Sequence, residues 1–351
     1  PTIALQAKTT LLQTSFTTNP AAISGTVTIC QGQSITYTNT STGVGTNPTY
    51  AWTFQGGSTT SSTLAGPHTI TYTTAGNYTT TLTIGGSSSS VNVVVTNNPS
   101  STAVLQLVDG NFWGTSSFNG NQYFTYCSSD ANLNGGLFSF TTNSTNTTST
   151  TQHVFNWGDG QNDTYTGTNL AETFHFYANS GTYTLTYTII NSSGCTTTKT
   201  YNLYIGASPT ATINPGGIPV LCSPGSVTYN ILPGAQNSPN TTYTFQVNDG
   251  SPPVIFNHPP PATYTHNYTI TSCGINSTIN GTLYPNSFQA SITVSNPCGT
   301  TSSAFGPINI QTPPDANFTR NPSANSICKG TTVSFNDTTT GGYNIGSAPS
   351  Y

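Results

Sequence analysis

One short pattern recurs three times along this chain, at intervals of about 100 residues. In each copy an aromatic residue is followed, five positions later, by a glycine that ends a turn. Repetition at a near-constant period indicates tandem copies of one structural unit. The sequence therefore predicts a row of similar domains, and its function belongs to the row. The copies are Trp52–Gly57, Phe155–Gly160 and Phe245–Gly250.

A second pattern comes after each of these turns and identifies the units as β domains. Gly76–Ile84 and Gly181–Ile189 alternate threonine with larger residues, and Phe288–Val294 is a weaker third copy. Alternation with a period of two is typical of a half-buried β-strand. Many short strands, Gly- and Asn-containing turns and no helical period predict an all-β sandwich in each unit.

The composition narrows the classes of function. Only 3% of the 351 residues are charged, with four Lys and Arg against eight Asp and Glu. A nucleic-acid surface needs clustered Lys and Arg, and binding to anionic membranes needs them as well. We therefore expect neither partner. Aromatic residues reach 11% at strand spacing, which indicates order despite the low hydrophobic and charged fractions.

Seven cysteines in a chain with so little charge indicate an oxidising, extracellular setting. Their spacings contain no CxxC metal site, and no apolar run reaches the roughly 20 residues of a membrane-spanning helix. We therefore expect a secreted segment that does not span a membrane.

The recurring segments divide the chain into units joined by short linkers that contain proline, which stiffens a connection by fixing φ. The first repeat is 13–97, the second repeat is 98–207 and the third repeat is 208–312. Residues 1–12 are interpreted as the last strand and linker of a preceding domain. Residues 313–351 are interpreted as the start of a truncated fourth repeat.

At these residues the chain resembles the PKD (polycystic kidney disease) domain, an immunoglobulin-like sandwich of seven strands. Phe155–Gly160 and Gly181–Ile189 match that family's Trp-Asp-Phe-Gly-Asp-Gly and Gly-x-Tyr signatures best. The first repeat departs from the pattern, because Gln55 and Gly56 stand where the family has Gly-Asp. The resemblance implies tandem immunoglobulin-like sandwiches in a linear array.

The cysteines beside these signatures resemble a narrower group, the giant repeat-built surface adhesins of gliding bacteria that the type IX route exports. This resemblance implies a filament at the cell surface for adhesion and gliding motility. Its partners would be further repeats of the same chain and a surface polysaccharide or other extracellular ligand.

The topology of such a sandwich constrains the disulfides. The cysteine before the second strand and the cysteine in the last hairpin turn lie at opposite poles of one domain, roughly 20 Å apart. A disulfide needs Cα atoms within roughly 7 Å. Pairing between consecutive domains is therefore expected, and the alternative pairs within domains are 127–195 and 222–298. The predicted bonds are Cys30–Cys195, Cys127–Cys298 and Cys222–Cys273, with Cys328 left over.

Two sets of residues have both a functional and a structural interpretation. Asp159 and Asp249, in the Gly-ended turns, are candidate calcium ligands or acceptors for their own turn's N–H groups. Trp52 and Trp157 could form a sugar-stacking platform, but their fixed spacing from the turn favours core anchors. The expected core anchors are Trp52, Trp157, Phe155 and Phe245.

We expect no enzyme and no cofactor beyond the calcium considered above. The chain has no Gly-x-Ser-x-Gly elbow and few acids for general acid–base work. The leading hypothesis is a segment of a long extracellular filamentous adhesin that acts as a mechanical rod or tether. The alternatives are spacer or carbohydrate-binding modules of a secreted polysaccharide- or protein-degrading enzyme, and a surface-layer protein.

Overall fold

The computed structural model describes residues 11–100, 103–106, 113–128, 136–216 and 220–341. All regular structure in these ranges is β-strand, in 29 segments, and the predicted tandem all-β fold is confirmed. The interpretation of 1–12 as a strand lies almost wholly outside the described residues, as does the end of the region 313–351.

Contacts within the chain group it into two compact units, and the second repeat contributes residues to both. The first unit comprises 1–108, 138–175 and 184–201; the second unit comprises 109–137, 176–183 and 202–351.

The first repeat folds into eight strands in two sheets that enclose an apolar core. Every second residue of the strands faces that core, as the alternating sequence predicts. Tyr37, Phe54 and Leu82 are fully buried there. Strands β1 to β8 are Phe16–Asn19, Thr26–Cys30, Ser34–Asn39, Tyr50–Phe54, Ser61–Ser62, His68–Thr71, Gly76–Ile84 and Ser87–Thr96.

The order of these strands is that of an immunoglobulin-like sandwich. One sheet has the order β1-β3-β6 and the other has the order β2-β8-β7-β4-β5. The opening strand is split between the two sheets, so that β1 pairs antiparallel with β3 while β2 lies parallel to β8. This split gives eight segments where seven strands are expected, and it brings the end of β2 beside the end of β8.

The described residues of the second repeat form nine strands. In the first unit, β13 pairs antiparallel with β14 and with β16, and β12 pairs with β9. In the second unit, β10 and β11 form a hairpin, and β11 lies parallel to β17. Strands β9 to β17 are Ala103–Gln106, Trp113–Phe118, Asn121–Cys127, Gly136–Thr142, Gln152–Asn156, Asn162–Thr166, Thr173–Tyr177, Gly181–Ile190 and Thr196–Gly206.

The third repeat reproduces the sheet orders of the first repeat. Its sheets are β18-β20-β23 and β19-β27-β26-β21-β22, and β19 lies parallel to β27. A small extra hairpin, β24–β25, lies between β23 and β26. Strands β18 to β27 are Ala211–Pro215, Val220–Cys222, Gly225–Pro233, Thr242–Val247, Val254–Asn257, Thr263–Tyr268, Ser277–Ile279, Thr282–Tyr284, Phe288–Asn296 and Gly299–Gln311.

A last antiparallel hairpin comes after the third repeat. It consists of β28 (Phe318–Asn321) and β29 (Ser334–Asp337). Phe318 and Phe335 face each other edge to face, with ring centroids 5.4 Å apart, and both rings are more than half exposed. The pair therefore has the geometry of a core contact without the cover of a second sheet.

Candidate functional site

The four predicted anchors, Trp52, Phe155, Trp157 and Phe245, are all buried. Trp157 stacks on Phe155 with centroids 4.8 Å apart, and its indole N–H donates to Oδ2 of Asp163 at 2.7 Å. Each ring is enclosed at the start of the Gly-ended turn, so none offers a face to a sugar. In this structure the anchors serve the cores of the repeats.

The two turn acids are held by histidines of the opposite sheet. Oδ1 of Asp159 accepts a hydrogen bond from the backbone N–H of Gln161, with N and O 3.0 Å apart. Its Oδ2 is hydrogen-bonded to Nε2 of His175 at 2.8 Å. Oδ2 of Asp249 is likewise hydrogen-bonded to Nε2 of His266 at 2.7 Å. Burial opposes ionisation of both carboxyls, but the hydrogen bonds outweigh it and hold their pKa values below the usual range.

These contacts bear on the calcium hypothesis for Asp159 and Asp249. Both oxygens of each carboxylate already accept hydrogen bonds, whereas calcium takes six to eight oxygen ligands. The described part of the chain contains no group of three His, Cys, Asp or Glu side chains placed to hold a metal ion. The geometry therefore favours the turn-stabilising interpretation for both residues.

The first repeat lacks this acid–histidine pair. The strand register places Ile70 where the third repeat has His266, and Gly56 stands in the position of Asp249. Ile70 is 3% exposed and belongs to the apolar core. Loss of the acid and loss of the histidine therefore occur together, which agrees with a structural pair.

Two disulfides connect consecutive repeats, and we call them the junction straps. Cys30 of the first repeat is bonded to Cys195 of the second, with Cα atoms 5.5 Å apart. Cys127 of the second repeat is bonded to Cys298 of the third, with Cα atoms 5.6 Å apart. These are the two pairings that the topological argument predicts, and they differ from the alternative pairs within one domain.

The third predicted bond, Cys222–Cys273, is not formed, and both thiols are free and exposed, as is that of Cys328. The two cysteines flank opposite edges of β27. Next to Cys222, the backbone N–H of Ser223 donates a hydrogen bond to the Gln311 carbonyl. Next to Cys273, the backbone N–H of Ser272 donates to the Ile310 carbonyl, and the Ser272 hydroxyl oxygen accepts from the Ile310 N–H. Segments on either side of one strand lie about 10 Å apart, beyond the reach of a disulfide.

We call the cysteine of each strap that comes earlier in the chain its receiving cysteine. A pair of parallel strands positions this cysteine. Cys30 is the last residue of β2 and lies in register with Thr96, the last residue of β8. Cys127 ends β11 in the same way, in register with Gly206 at the end of β17. Each receiving cysteine therefore sits where its repeat ends and the linker to the next repeat begins.

The other cysteine of each strap lies in the last hairpin turn of the following repeat. An asparagine side chain fixes the shape of that turn. Oδ1 of Asn191 accepts the N–H groups of Ser193 and Cys195, while its Nδ2 donates to the Asn97 carbonyl in the linker at 3.1 Å. One amide side chain thus shapes the turn and holds it against the linker.

The second strap repeats this arrangement with Asn296, which is 3% exposed. Its Oδ1 accepts the Cys298 N–H at 2.8 Å, and its Nδ2 donates to the Ala207 carbonyl at 3.0 Å. We call Asn191 and Asn296 the asparagine clamps. Sequence reasoning missed them, although the signal was present, since each lies two to four residues before its strap cysteine.

The first repeat has no strap cysteine in its corresponding hairpin turn. That turn is Gly85–Gly86, where both residues have positive φ. The absence of a thiol there is a property of the sequence. The straps therefore run in one direction, from a strand end of one repeat to a turn of the next.

Neutral hydrogen bonds complete both junctions. Nδ2 of Asn98 donates to the Gln31 carbonyl at 3.1 Å beside the first strap. The Tyr204 hydroxyl contacts the Ser238 hydroxyl beside the second strap, and burial raises the pKa of Tyr204 to about 12. Neither contact involves a charged side chain, so both should respond little to salt.

The comparisons with known proteins agree with the fold. Residues 18–99 match the PKD domain. No curated protein matches the chain significantly. Within the described residues no helix is long and apolar enough to cross a membrane. The PKD match and the two disulfides are consistent with an extracellular protein.

Several solved structures are similar to this chain at low identity. A tetra-tandem repeat in the extending region of a large adhesion protein covers 84% of this chain and 74% of its own, with 13% identity and TM-score 0.33. The ICAM-5 D1–D4 ectodomain fragment covers 89% and 80%, with 9% identity and TM-score 0.34. The fibronectin(III)-like modules of CbhA from Clostridium thermocellum cover 58% and 92%, with 14% identity and TM-score 0.24.

Proposed function

We propose that this chain is a segment of a long extracellular filamentous adhesin, in which it acts as a mechanical tether. The observation that carries the proposal is the pair of junction straps. Each strap runs in the same direction, from a strand end of one repeat to a hairpin turn of the next repeat. Each is accompanied by an asparagine clamp that is hydrogen-bonded to the linker. Covalent bonds at successive junctions are suited to resisting a pull along the chain.

The chemistry of the junctions supports the same role. A disulfide does not open under forces that separate noncovalent contacts, and it constrains the unfolded chain as well. The remaining junction contacts are amide and hydroxyl hydrogen bonds, so their strength should be nearly independent of ionic strength. A segment with 3% charged residues would then behave alike in fresh and saline surroundings.

The proposal includes a setting and a partner class. The protein would lie at the surface of a gliding bacterium, exported by the type IX route, and would support attachment and gliding motility. A surface polysaccharide or another extracellular ligand would be its substrate for adhesion, through weak contacts that gain strength by multivalency. The chain would not be an enzyme and would bind no nucleic acid.

Replacement of the repeats in the natural protein tests this function. Residues 13–312 are replaced by three unrelated β-sandwich domains of similar length, and in a second strain they are deleted. A tether predicts that the replacement retains most attachment under flow, whereas the deletion reduces attachment and gliding. Unchanged attachment in both strains, with loss of secreted polysaccharide hydrolysis in the deletion, would favour the spacer of a degradative enzyme instead.

A further inference from the structure

Three cysteines of this chain occupy the same place in three successive repeats. Cys30, Cys127 and Cys222 each end a strand that lies parallel to the last strand of its repeat. Cys222 is in register with Gln311, the last residue of β27. The first two cysteines carry junction straps, whereas Cys222 is a free, exposed thiol.

The chain beyond the third repeat begins as it does at the two strapped junctions. A proline lies three residues after the end of the last strand in every case, at Pro99, Pro209 and Pro314. Thr312 stands directly after β27, in the position of Asn97 and Ala207, whose carbonyls accept from the asparagine clamps.

The hairpin β28–β29 independently indicates that another sandwich opens after the third repeat. Its ring pair, Phe318 and Phe335, has an interplanar angle of 64° and centroids 5.4 Å apart. The corresponding pair of the first repeat, Phe16 and Tyr37, has 62° and 6.0 Å. Tyr37 is fully buried, but Phe335 is 67% exposed. The hairpin thus has the opening geometry of a repeat whose second sheet would cover these rings.

Cys273 is the only nearby rival for Cys222 among the described cysteines, and the geometry disfavours it. Strand β27 lies between the two cysteines. Ser223 is hydrogen-bonded to one edge of its last residues and Ser272 is hydrogen-bonded to the other edge. A bond between them would require one flanking segment to cross the end of β27 and give up these backbone hydrogen bonds.

We propose that Cys222 is the receiving site of a third junction strap, whose partner is a cysteine in the last hairpin turn of the repeat that opens with β28. An asparagine before that cysteine would donate to the Thr312 carbonyl. The inference rests on the proposed extracellular function, because the bond needs an oxidant. The two thiols lose two protons and two electrons to the disulfide of a thiol–disulfide oxidoreductase, which is reduced to a dithiol.

Disulfide mapping of the full-length natural protein tests the inference. Intact cells are treated with an alkylating agent, and the protein is then digested without reduction and analysed by mass spectrometry. The expected result is a crosslinked peptide that joins Cys222 to a residue beyond 351, with Cys273 alkylated. Prior reduction should raise alkylation of Cys222 at least about tenfold and leave that of Cys273 nearly unchanged.

The Cys30–Cys195 and Cys127–Cys298 peptides serve as internal references in the same digest. If both are crosslinked while Cys222 is alkylated or bonded to Cys273, this inference is wrong and the proposed function stands. If the references are reduced as well, the proposed function itself fails. Matched variants complete the test, since Cys222→Ser should abolish the third crosslink and Cys273→Ser should leave it intact.

Discussion

The junction straps overlap along the chain, and this overlap makes a sharp prediction about extension under force. The loop closed by Cys30–Cys195 contains Cys127, and the loop closed by Cys127–Cys298 contains Cys195. A pull on the unfolded chain must therefore travel from Cys30 across to Cys195, backward to Cys127 and across to Cys298. Only the stretch shared by the two loops can be drawn out between Cys30 and Cys298.

The lengths derive from the residue numbers. The shared stretch, 195 minus 127, has about 68 residue steps, which at ~3.5 Å each extend to about 240 Å. Without either strap the span from 30 to 298 has about 268 steps and extends to about 940 Å. Both straps together therefore withhold about 700 Å of extension.

Removal of a single strap should recover little of this length. Replacement of Cys30 and Cys195 by serine leaves a taut path of about 97 steps, or about 340 Å; replacement of Cys127 and Cys298 leaves about 103 steps, or about 360 Å. Either change adds only about 100 to 120 Å to the strapped value, and the second change adds about 600 Å.

Single-molecule pulling with handles at both termini measures these lengths directly. The oxidised protein, the two double-serine variants and the protein in reductant form one series, and extension outside residues 30–298 is common to all of them. Equal gains in length on removal of one strap and on subsequent removal of the other would refute the overlapping connectivity. Full extension of the oxidised protein would refute the straps themselves.

Three further predictions concern the stability of the repeats. Asn296→Ala should lower the free energy of unfolding by about 1–3 kcal/mol, because a buried linker carbonyl loses its donor; the exposed Asn77→Ala control should change it by less than about 0.5 kcal/mol in urea titrations. The lowered pKa of Asp249 contributes stability that is fully present above the ordinary aspartate pKa of about 4 and is lost as pH falls from there through the lowered, folded-state pKa. Thermal unfolding of Asp249→Asn should therefore depend less on pH between about 5 and 3, and identical slopes for the two proteins would contradict this. Gly158→Ala should destabilise by at least about 1 kcal/mol more than Gly160→Ala, since both have positive φ but only the first Cβ would meet a neighbouring backbone, and equal losses by calorimetry would show that the close approach has no cost.

The sequence predicted the strands and the junction straps because both depend on patterns that survive local context. The alternation in Gly181–Ile189 fixes which residues enter the core, and β16 conforms to it. The strap pairs result from which pole of a sandwich each cysteine occupies, a property of topology that is insensitive to side-chain detail.

The features that the sequence did not predict depend on single hydrogen bonds. Asn191 and Asn296 are two among many asparagines in this chain, and only the fold shows that each faces a linker carbonyl. The partners of Asp159 and Asp249 lie 16 and 17 residues away on another sheet. The bond expected between Cys222 and Cys273 was wrong because a shared pole does not place two residues on the same edge of a strand.

The Gly85–Gly86 turn has a consequence for how motion is distributed in a chain of this kind. A domain attached ahead of the first repeat would find no thiol in that turn, so a pull across that joint would meet no disulfide of the strap type. Runs of repeats joined by junction straps would then be separated by junctions without a strap wherever such a diglycine turn occurs. The spacing of those turns in the gene would set the stiffness of the whole fibre.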